Sequence, residues 1–186
     1  GNTLQVTGPL TLGNQTLGAV RRVPINAGAN AVTFLDAGPV ELAHTSVSGG
    51  SLTSATGFAL PSGESIDGSG RIVGDVLLQG RLFPGGAQGL VFAGSVTQPA
   101  ASDIQGTRVL FEPTARYTGH TMNGGARWHS QPGSRLVFDA PSAIGLNVPD
   151  GFDCGGELDI TGSLVVGDSD GFSLGTTCTL RNAGLL

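Results

Sequence analysis

Short apolar runs alternate with glycine and polar residues along the whole chain. These runs are rich in Val, Leu, Ile and Phe, and no window of about eleven residues keeps helical apolar spacing without Gly or Pro. The pattern therefore predicts an all-β protein. The predicted strands are residues 4–6, 10–12, 31–34, 40–42, 71–73, 76–78, 89–92, 108–111, 135–138, 157–160, 163–166 and 177–180.

A loose internal repeat favours one all-β architecture over the others. The segments GTRVLFEPTA (106–115) and GSRLVFDAPS (133–142) share Gly, Arg, two aliphatic residues, Phe and an acid in the same order, 27 positions apart. Five phenylalanines, at positions 34, 58, 83, 111 and 138, also recur at a similar interval. Such periodicity predicts a parallel β-helix, a β-solenoid with coils of roughly 20–28 residues. A β-sandwich is the alternative.

The repeat also predicts which side chains stack. Side chains alternate along a strand, so Val109 and Phe111 are expected inside the coil, as are Leu136 and Phe138. If the two segments occupy successive coils, Phe111 stacks on or near Phe138. On the outside, Arg108 would then lie over Arg135, and Glu112 over Asp139.

Glycine content fits the same interpretation. The chain has 32 glycines among 186 residues, with 39% hydrophobic residues, which is too apolar for a disordered tract. Each coil of a β-helix needs several bends, and bends favour Gly, Asn, Asp or Pro. We expect a single domain over residues 1–186, as a piece of a longer exported chain.

Charge and the length of the apolar runs argue against nucleic acid and the membrane interior as partners. Nine arginines and no lysine stand against fourteen acidic residues, giving a net charge of −5. We therefore expect no binding to nucleic acid. No apolar run approaches the length of a transmembrane helix, so this segment is not expected to insert into a membrane.

Two stretches resemble the repeats of bacterial autotransporter passengers. Residues 68–96 are similar to their glycine-rich β-repeat, and residues 115–128 are similar to their associated β-strand unit, although Phe83, Met122 and Trp128 depart from the patterns. The matching residues are Gly70, Ile72, Gly74, Val76, Gly80, Leu82, Pro84, Gly85, Gly89, Val91, Gly94, Tyr117, Thr118, Gly119, Thr121, Asn123 and Gly125. The resemblance implies a right-handed β-helix that is exported to the cell surface, with no activity attached to the repeat.

Three common catalytic and metal-binding motifs are missing from the sequence. It contains no phosphate loop, HExxH or CxxC motif, so we expect no catalytic residues and no enzyme activity. The alternative comes from fold analogy with polysaccharide-cleaving β-helices of the pectate-lyase and tailspike type. In that hypothesis Tyr117, Trp128, Glu112 and Asp139 contact carbohydrate, and the two carboxylates lie on successive coils.

An acidic stretch near residue 160 raises the question of calcium. Six of the fourteen acids fall between residues 150 and 170, and carboxylate oxygens are calcium ligands. Asp168 and Asp170 are the candidate metal ligands, in a DSDG fragment that an Asp-Gly turn explains equally well. No other cofactor is predicted.

The two cysteines predict a disulfide. The spacing between Cys154 and Cys178 matches one coil at the phenylalanine period, so equivalent positions on adjacent strands would bring them within bonding distance. Disulfides persist outside the cytosol, so the pair favours an extracellular address.

These observations support one leading hypothesis for function. The chain is expected to be a non-catalytic structural or adhesive β-solenoid at the cell surface, serving as a stalk, a passenger or a self-assembling fibre subunit. Its expected partners are further copies of itself, stacked head to tail or laterally, and a surface glycan or host receptor. A carbohydrate-binding or carbohydrate-cleaving β-helix and a plain secreted β-sandwich are the alternatives.

Overall fold

The computed structural model describes residues 3–13, 24–144, 152–166 and 172–183. Within these residues the chain forms β-strands joined by turns and bends, without a helix. The strand pairs are parallel, and they stack as a β-solenoid of about eight turns. The predicted parallel β-helix is therefore confirmed, and the β-sandwich alternative is wrong.

Twenty strands are found in the described residues. They are Leu4–Gln5 (β1), Leu10–Gly13 (β2), Ile25–Gly28 (β3), Ala31–Leu35 (β4), Val40–Glu41 (β5), Thr45–Ser54 (β6), Phe58–Leu60 (β7), Ser65–Val73 (β8), Val76–Leu78 (β9), Arg81–Pro84 (β10), Leu90–Phe92 (β11), Ser95–Phe111 (β12), Arg116–Ser130 (β13), Arg135–Phe138 (β14), Ser142–Ile144 (β15), Phe152–Cys154 (β16), Glu157–Ile160 (β17), Leu164–Val166 (β18), Phe172–Leu174 (β19) and Thr179–Asn182 (β20).

The strands form three parallel ladders, which we call faces A, B and C, and each turn visits them in that order. Strands β6, β8, β12 and β13 run around corners and contribute to more than one face. Face A consists of β1, β3, the starts of β6 and β8, β10, the middles of β12 and β13, β15 and β18. Face B consists of β2, β4, the ends of β6, β8, β12 and β13, β11, β16 and β19. Face C consists of β5, β7, β9, the starts of β12 and β13, β14, β17 and β20.

Coil length follows from the positions that pair between turns. Ser51 pairs with Arg71, 20 positions later in the sequence, and this spacing is typical. The spacing is shortest between strands β8 and β10, where Ser65 pairs with Arg81, and longest between β13 and β16, where Trp128 pairs with Phe152. Most coils therefore lie at or near the short end of the predicted range of lengths.

The core lies inside the coil, along the whole stack. Alternate residues of each strand point inward, and Val109, Phe111, Leu136 and Phe138 are all at most 1% exposed, as predicted. They belong to one hydrophobic cluster that extends from Ile25 to Leu164. Every turn between these two residues contributes to the same core, so the turns stabilise one another by burying apolar surface.

The phenylalanine interval has a different origin from the one predicted. Phe34 lies on face B, Phe58 on face C, Phe83 on face A, Phe111 on face B and Phe138 on face C. The interval between successive members of this series is longer than a typical coil, so each phenylalanine advances by one turn and one face. The expected stacking of Phe111 on Phe138 is therefore wrong.

Aromatic rings nevertheless form a continuous stack through the later turns. Phe111 stacks on Phe92 at a centroid distance of 5.7 Å and on Trp128 at 5.6 Å. Trp128 in turn contacts Phe138 at 5.5 Å, and Phe138 contacts Phe152 at 6.3 Å. Phe111 and Phe138 are thus linked through Trp128, from two different faces.

Two long strands have polar inward positions and were not predicted. Strands β6 and β13 bury Thr45, Ser54, Thr121 and Ser130, each at most 2% exposed. Thr45 satisfies its hydroxyl by donating to the carbonyl oxygen of Ala43 at 2.8 Å. Small hydroxyl side chains take some of the inward positions on these strands, so the apolar alternation that marks a strand in sequence is interrupted.

Glycine is required where one coil passes close to the next. Gly68 has a φ of +98°, and a Cβ atom at this position would lie 2.0 Å from the carbonyl oxygen of Val47 on the preceding coil. Gly106 has the same relation to the carbonyl oxygen of Pro84, also at 2.0 Å. At these corners the backbone excludes every other residue, on both conformational and steric grounds.

We predict that Gly68→Ala destabilises the protein strongly, whereas Gly38→Ala does not. The first change adds the left-handed cost of about 1–2 kcal/mol to an overpacking cost of about 1–3 kcal/mol. At Gly38 no atom lies within 4 Å of the point that a Cβ atom would occupy, and φ is outside the left-handed region. Urea unfolding followed by circular dichroism measures both variants, and equal midpoints would contradict the close approach of the two coils.

Candidate functional site

Tyr117 and Trp128, the predicted carbohydrate contacts, lie inside the solenoid. Both side chains are 0% exposed, and their rings meet edge to face at a centroid distance of 4.9 Å. They occupy inward positions on faces C and B, where they pack against Phe111 and Phe138. The prediction that they contact a sugar is therefore wrong.

Tyr117 instead belongs to a polar cluster within the core. Its hydroxyl donates to the Oε1 atom of Gln98 at 2.9 Å, and the Thr121 hydroxyl donates to the same oxygen at 3.1 Å. The amide nitrogen of Gln98 donates to the carbonyl oxygen of Ser102 at 3.3 Å. Burial raises the pKa of Tyr117 far above its ordinary value, so this phenol stays protonated. These contacts satisfy buried polar groups, which is a structural role.

Glu112 and Asp139 do not lie on one stack. Glu112 follows the face B end of strand β12, whose partner on the next coil is the end of β13. Asp139 follows β14 on face C, whose partners are the start of β13 and β17. The predicted carboxylate pair is therefore wrong, because the two similar segments occupy different faces.

Glu112 has an arginine partner of its own. The Arg71 Nε and Nη2 atoms donate to its two carboxylate oxygens at 2.8 and 2.7 Å, a bidentate pair across two coils. These hydrogen bonds hold the pKa of the Glu112 carboxyl below its ordinary value, against the opposing effect of burial. The geometry describes a surface ion pair and not a catalytic acid.

The arginine stacks also differ from the prediction. Arg108 pairs in register with Arg127, and Arg116 pairs with Arg135. Arg135 donates from Nε to Asp159 Oδ2 at 2.9 Å, and Arg127 donates from Nε to Asp153 Oδ2 at 3.0 Å. In each stacked pair the later arginine, Arg127 or Arg135, is therefore compensated by a carboxylate one coil further on.

The acidic stretch is only partly described. Asp168 and Asp170, the predicted calcium ligands, lie outside the described residues. Of the others, Asp153 and Asp159 accept hydrogen bonds from arginines, as given above, and Glu157 lies 3.7 Å from Arg135. In the described part of the chain no three His, Cys, Asp or Glu side chains gather into a metal-binding group.

The disulfide is confirmed, with a different register from the expected one. Cys154 and Cys178 are bonded, and their Cα atoms are 5.5 Å apart. The register partner of Cys154 is Leu174, and Cys178 follows that partner after a turn in which its amide donates to the Gly175 carbonyl at 2.9 Å. The bridge therefore joins face B to the corner that leads into β20.

Two depressions open on the outer surface. The first, which we call the arginine groove, has a volume of about 500 Å³ and is lined by Gly86, Ala87, Thr107, Arg108, Arg127, His129 and Asp153. The second, the Phe83 groove, has a volume of about 430 Å³ and is lined by Ser62, Gly63, Glu64, Ser65, Gln79, Gly80, Arg81, Phe83, Ala101, Ser102 and Asp103. These grooves are the candidate binding sites of the described surface.

Neither groove was predicted from the sequence. A signal for the first was the spacing of Arg108 and Arg127, which places them on successive coils once the coil length is known. Phe83 carried a signal for the second, because it interrupts the passenger-like pattern, and its side chain is 38% exposed.

Comparison with protein-family models, with curated proteins and with solved structures finds no match to this chain. The resemblance to autotransporter passengers therefore stays a prediction. The described residues include no helix long and apolar enough to cross a membrane.

We predict that Cys154 and Cys178 are bonded in protein taken from its native compartment. Alkylation without reductant should label neither residue, and alkylation after reduction should label both, since the chain has only two cysteines. Reduction should lower the stability by roughly 3 kcal/mol, because the bridge closes a long loop. Two thiols that react before reduction would contradict both the bridge and the extracellular address inferred from it.

Proposed function

We propose that this chain is a non-catalytic structural segment of an exported protein, in which the solenoid serves as a stiff spacer or stalk at the cell surface. The observation that carries the proposal is the single core shared by the described turns, from Ile25 to Leu164. A stack of turns that share one core resists bending between neighbours. This is the property that a spacer needs.

The disulfide supports export. Cys154 and Cys178 tie two late turns of the stack together, and such bonds persist in oxidising compartments. The bridge therefore restrains the opening of these two turns.

The last described turn offers a surface for association. In the described residues, β18, β19 and β20 pair with neighbouring strands on one side. Leu174 and Leu180 on this turn are 47% and 36% exposed. Unpaired strand edges beside exposed apolar side chains favour the addition of another coil. We propose that a further coil packs on this turn, and that in the purified 186-residue chain a second copy supplies it.

The polysaccharide-cleaving alternative depended on two neighbouring carboxylates. The register places Glu112 on face B and Asp139 on face C, so the hypothesis has lost the geometry on which it rested. The proposed spacer role does not depend on any arrangement of catalytic residues.

We predict that the purified chain associates in a concentration-dependent way and that Leu174→Asp weakens this association. The added charge would be buried against the next coil, which is unfavourable. Leu35→Asp is the matched control, because Leu35 is 59% exposed on face B, many coils away from the last described turn. Sedimentation velocity and negative-stain electron microscopy measure the effect.

Two results would contradict this proposal. Equal association of the wild-type protein and Leu174→Asp would exclude stacking through the last described turn. Reproducible hydrolysis of pectin, alginate, chitin or peptidoglycan by the purified chain would overturn the non-catalytic role.

Carbohydrate binding remains the second candidate, supported by the Phe83 groove. Phe83 is exposed beside Glu64, Gln79 and Asp103, and Arg81 lies 3.8 Å from Asp103. An exposed aromatic ring beside carboxylate and amide groups suits a sugar, which presents an apolar ring face and a hydroxyl edge.

We predict that Phe83→Ala weakens any binding of neutral oligosaccharides roughly tenfold, because the ring contributes a stacking surface. Leu77→Ala is the control, since Leu77 is 42% exposed on face C and does not line the groove. Affinity electrophoresis in gels containing soluble glucans or xylans compares the two variants. Equal retardation of both would exclude the Phe83 groove as a sugar site.

A further inference from the structure

The arginine groove lies on the outside of face B and spans four coils. Arg108 and Arg127 are register partners on adjacent coils. His129 follows Arg127 by two positions on the same strand and pairs with Asp153 on the next coil. Alternation directs all four side chains outward, so they share one surface with a spacing of about 4.8 Å between coils.

Arg108 has no partner in the described part of the chain. Its Nε atom is buried and makes no hydrogen bond, and no ion pair to this side chain is found among the described residues. By contrast, Arg71, Arg127 and Arg135 each donate to a carboxylate. A buried donor without an acceptor is unfavourable, so an acceptor supplied by a ligand would be favoured here.

Asp153 contacts both Arg127 and His129 in the groove. The Oδ2 atom of Asp153 accepts from Arg127 Nε at 3.0 Å and lies 3.4 Å from His129 Nδ1. Burial opposes the ionisation of Asp153, but its hydrogen bonds from Arg127 and His129 outweigh this effect and lower its pKa. Asp153 is thus ionised at neutral pH, and the described lining holds two guanidinium groups and this one carboxylate.

The remaining walls consist of small residues. Thr107 donates its hydroxyl to the Gly86 carbonyl oxygen at 2.7 Å, and Gly86 and Ala87 form the edge on the preceding coil. The described lining contains no large apolar side chain. It offers guanidinium donors instead, whose planar geometry matches carboxylate and sulfate groups.

We propose that the arginine groove binds an oxyanion of an acidic glycan, a carboxylate or a sulfate group, with Arg108 as its main contact. The guanidinium nitrogens of Arg108 that face the groove donate to the oxyanion. Arg127 adds positive charge from the next coil while it stays paired with Asp153. This site is independent of the proposed stalk role, so a failure of either proposal leaves the other standing.

Isothermal titration calorimetry of the intact, disulfide-bonded chain tests the proposal. The probes are a galacturonate hexamer, a chondroitin sulfate hexasaccharide, free sodium sulfate and the neutral cellohexaose. We expect binding of at least one acidic oligosaccharide, with an affinity that falls as salt is added. Binding of cellohexaose as tight as that of the acidic probes, or binding of free sulfate alone, would overturn the glycan assignment.

Two variants with a matched control locate the site. Arg108→Gln should weaken binding at least about tenfold. Arg116→Gln removes the same charge from face C, where Arg116 donates to the backbone carbonyls of Ala115 and Gly133, and should change affinity less than about twofold. Equal affinities of Arg108→Gln and the wild-type protein would overturn the proposal.

Asp153→Asn supplies a test in the opposite direction. The change removes one negative charge from the lining of the groove, so affinity for the acidic probe should rise severalfold. A structural disturbance would lower affinity and would not raise it. Thermal unfolding of each variant establishes that the fold is intact, and unchanged or weaker binding by folded Asp153→Asn would contradict the assigned electrostatics.

Discussion

Parallel pairing of each strand with its counterpart on the next coil is the interaction on which the rest of this structure depends. Because the strands are about 4.8 Å apart, every inward side chain must rest on the inward side chain of the neighbouring coil. On face B this produces the column Leu90, Val109, Trp128 and Phe152. The core is therefore built from stacked columns, and each turn is stable only in the presence of its neighbours.

The same spacing organises the outer surface. Arginines at register positions would repel one another, and carboxylates on a later coil offset this repulsion, as Asp153 does for Arg127 and Asp159 for Arg135. Arg71 reaches Glu112 in the same way, across two coils. Arg108 departs from this pattern, since no described carboxylate compensates it. Among the described residues, the other stacked arginines pair with acids or carbonyls, whereas the Nε atom of Arg108, beside the groove, has no acceptor.

The sequence predicts the fold class because that depends on local pattern. Short apolar runs with glycine between them exclude long helices, and the near-regular recurrence of Phe indicates coils. Register could not be predicted, because the phenylalanine interval combines a turn with a shift of one face, as Phe111 on face B and Phe138 on face C show.

Errors about the site follow from this difference in register. Glu112 and Asp139 were paired by motif similarity, although similar segments recur on different faces. The carbohydrate hypothesis required Tyr117 and Trp128 on the outside, yet inward alternation buries both. The disulfide was predicted correctly because a bridge tolerates a range of positions, so Cys178 can bond from a point beyond the register partner of Cys154.

Distances between spin labels along one outward column test the stacked-coil account most directly. Ser173 is separated by four coils from Val91, by six from Ser51 and by seven from Ala31. At about 4.8 Å per coil, double electron–electron resonance of the three doubly labelled proteins should give separations near 19, 29 and 34 Å, in that order. Separations that do not increase with the number of intervening coils would contradict the solenoid and every contact inferred from its register.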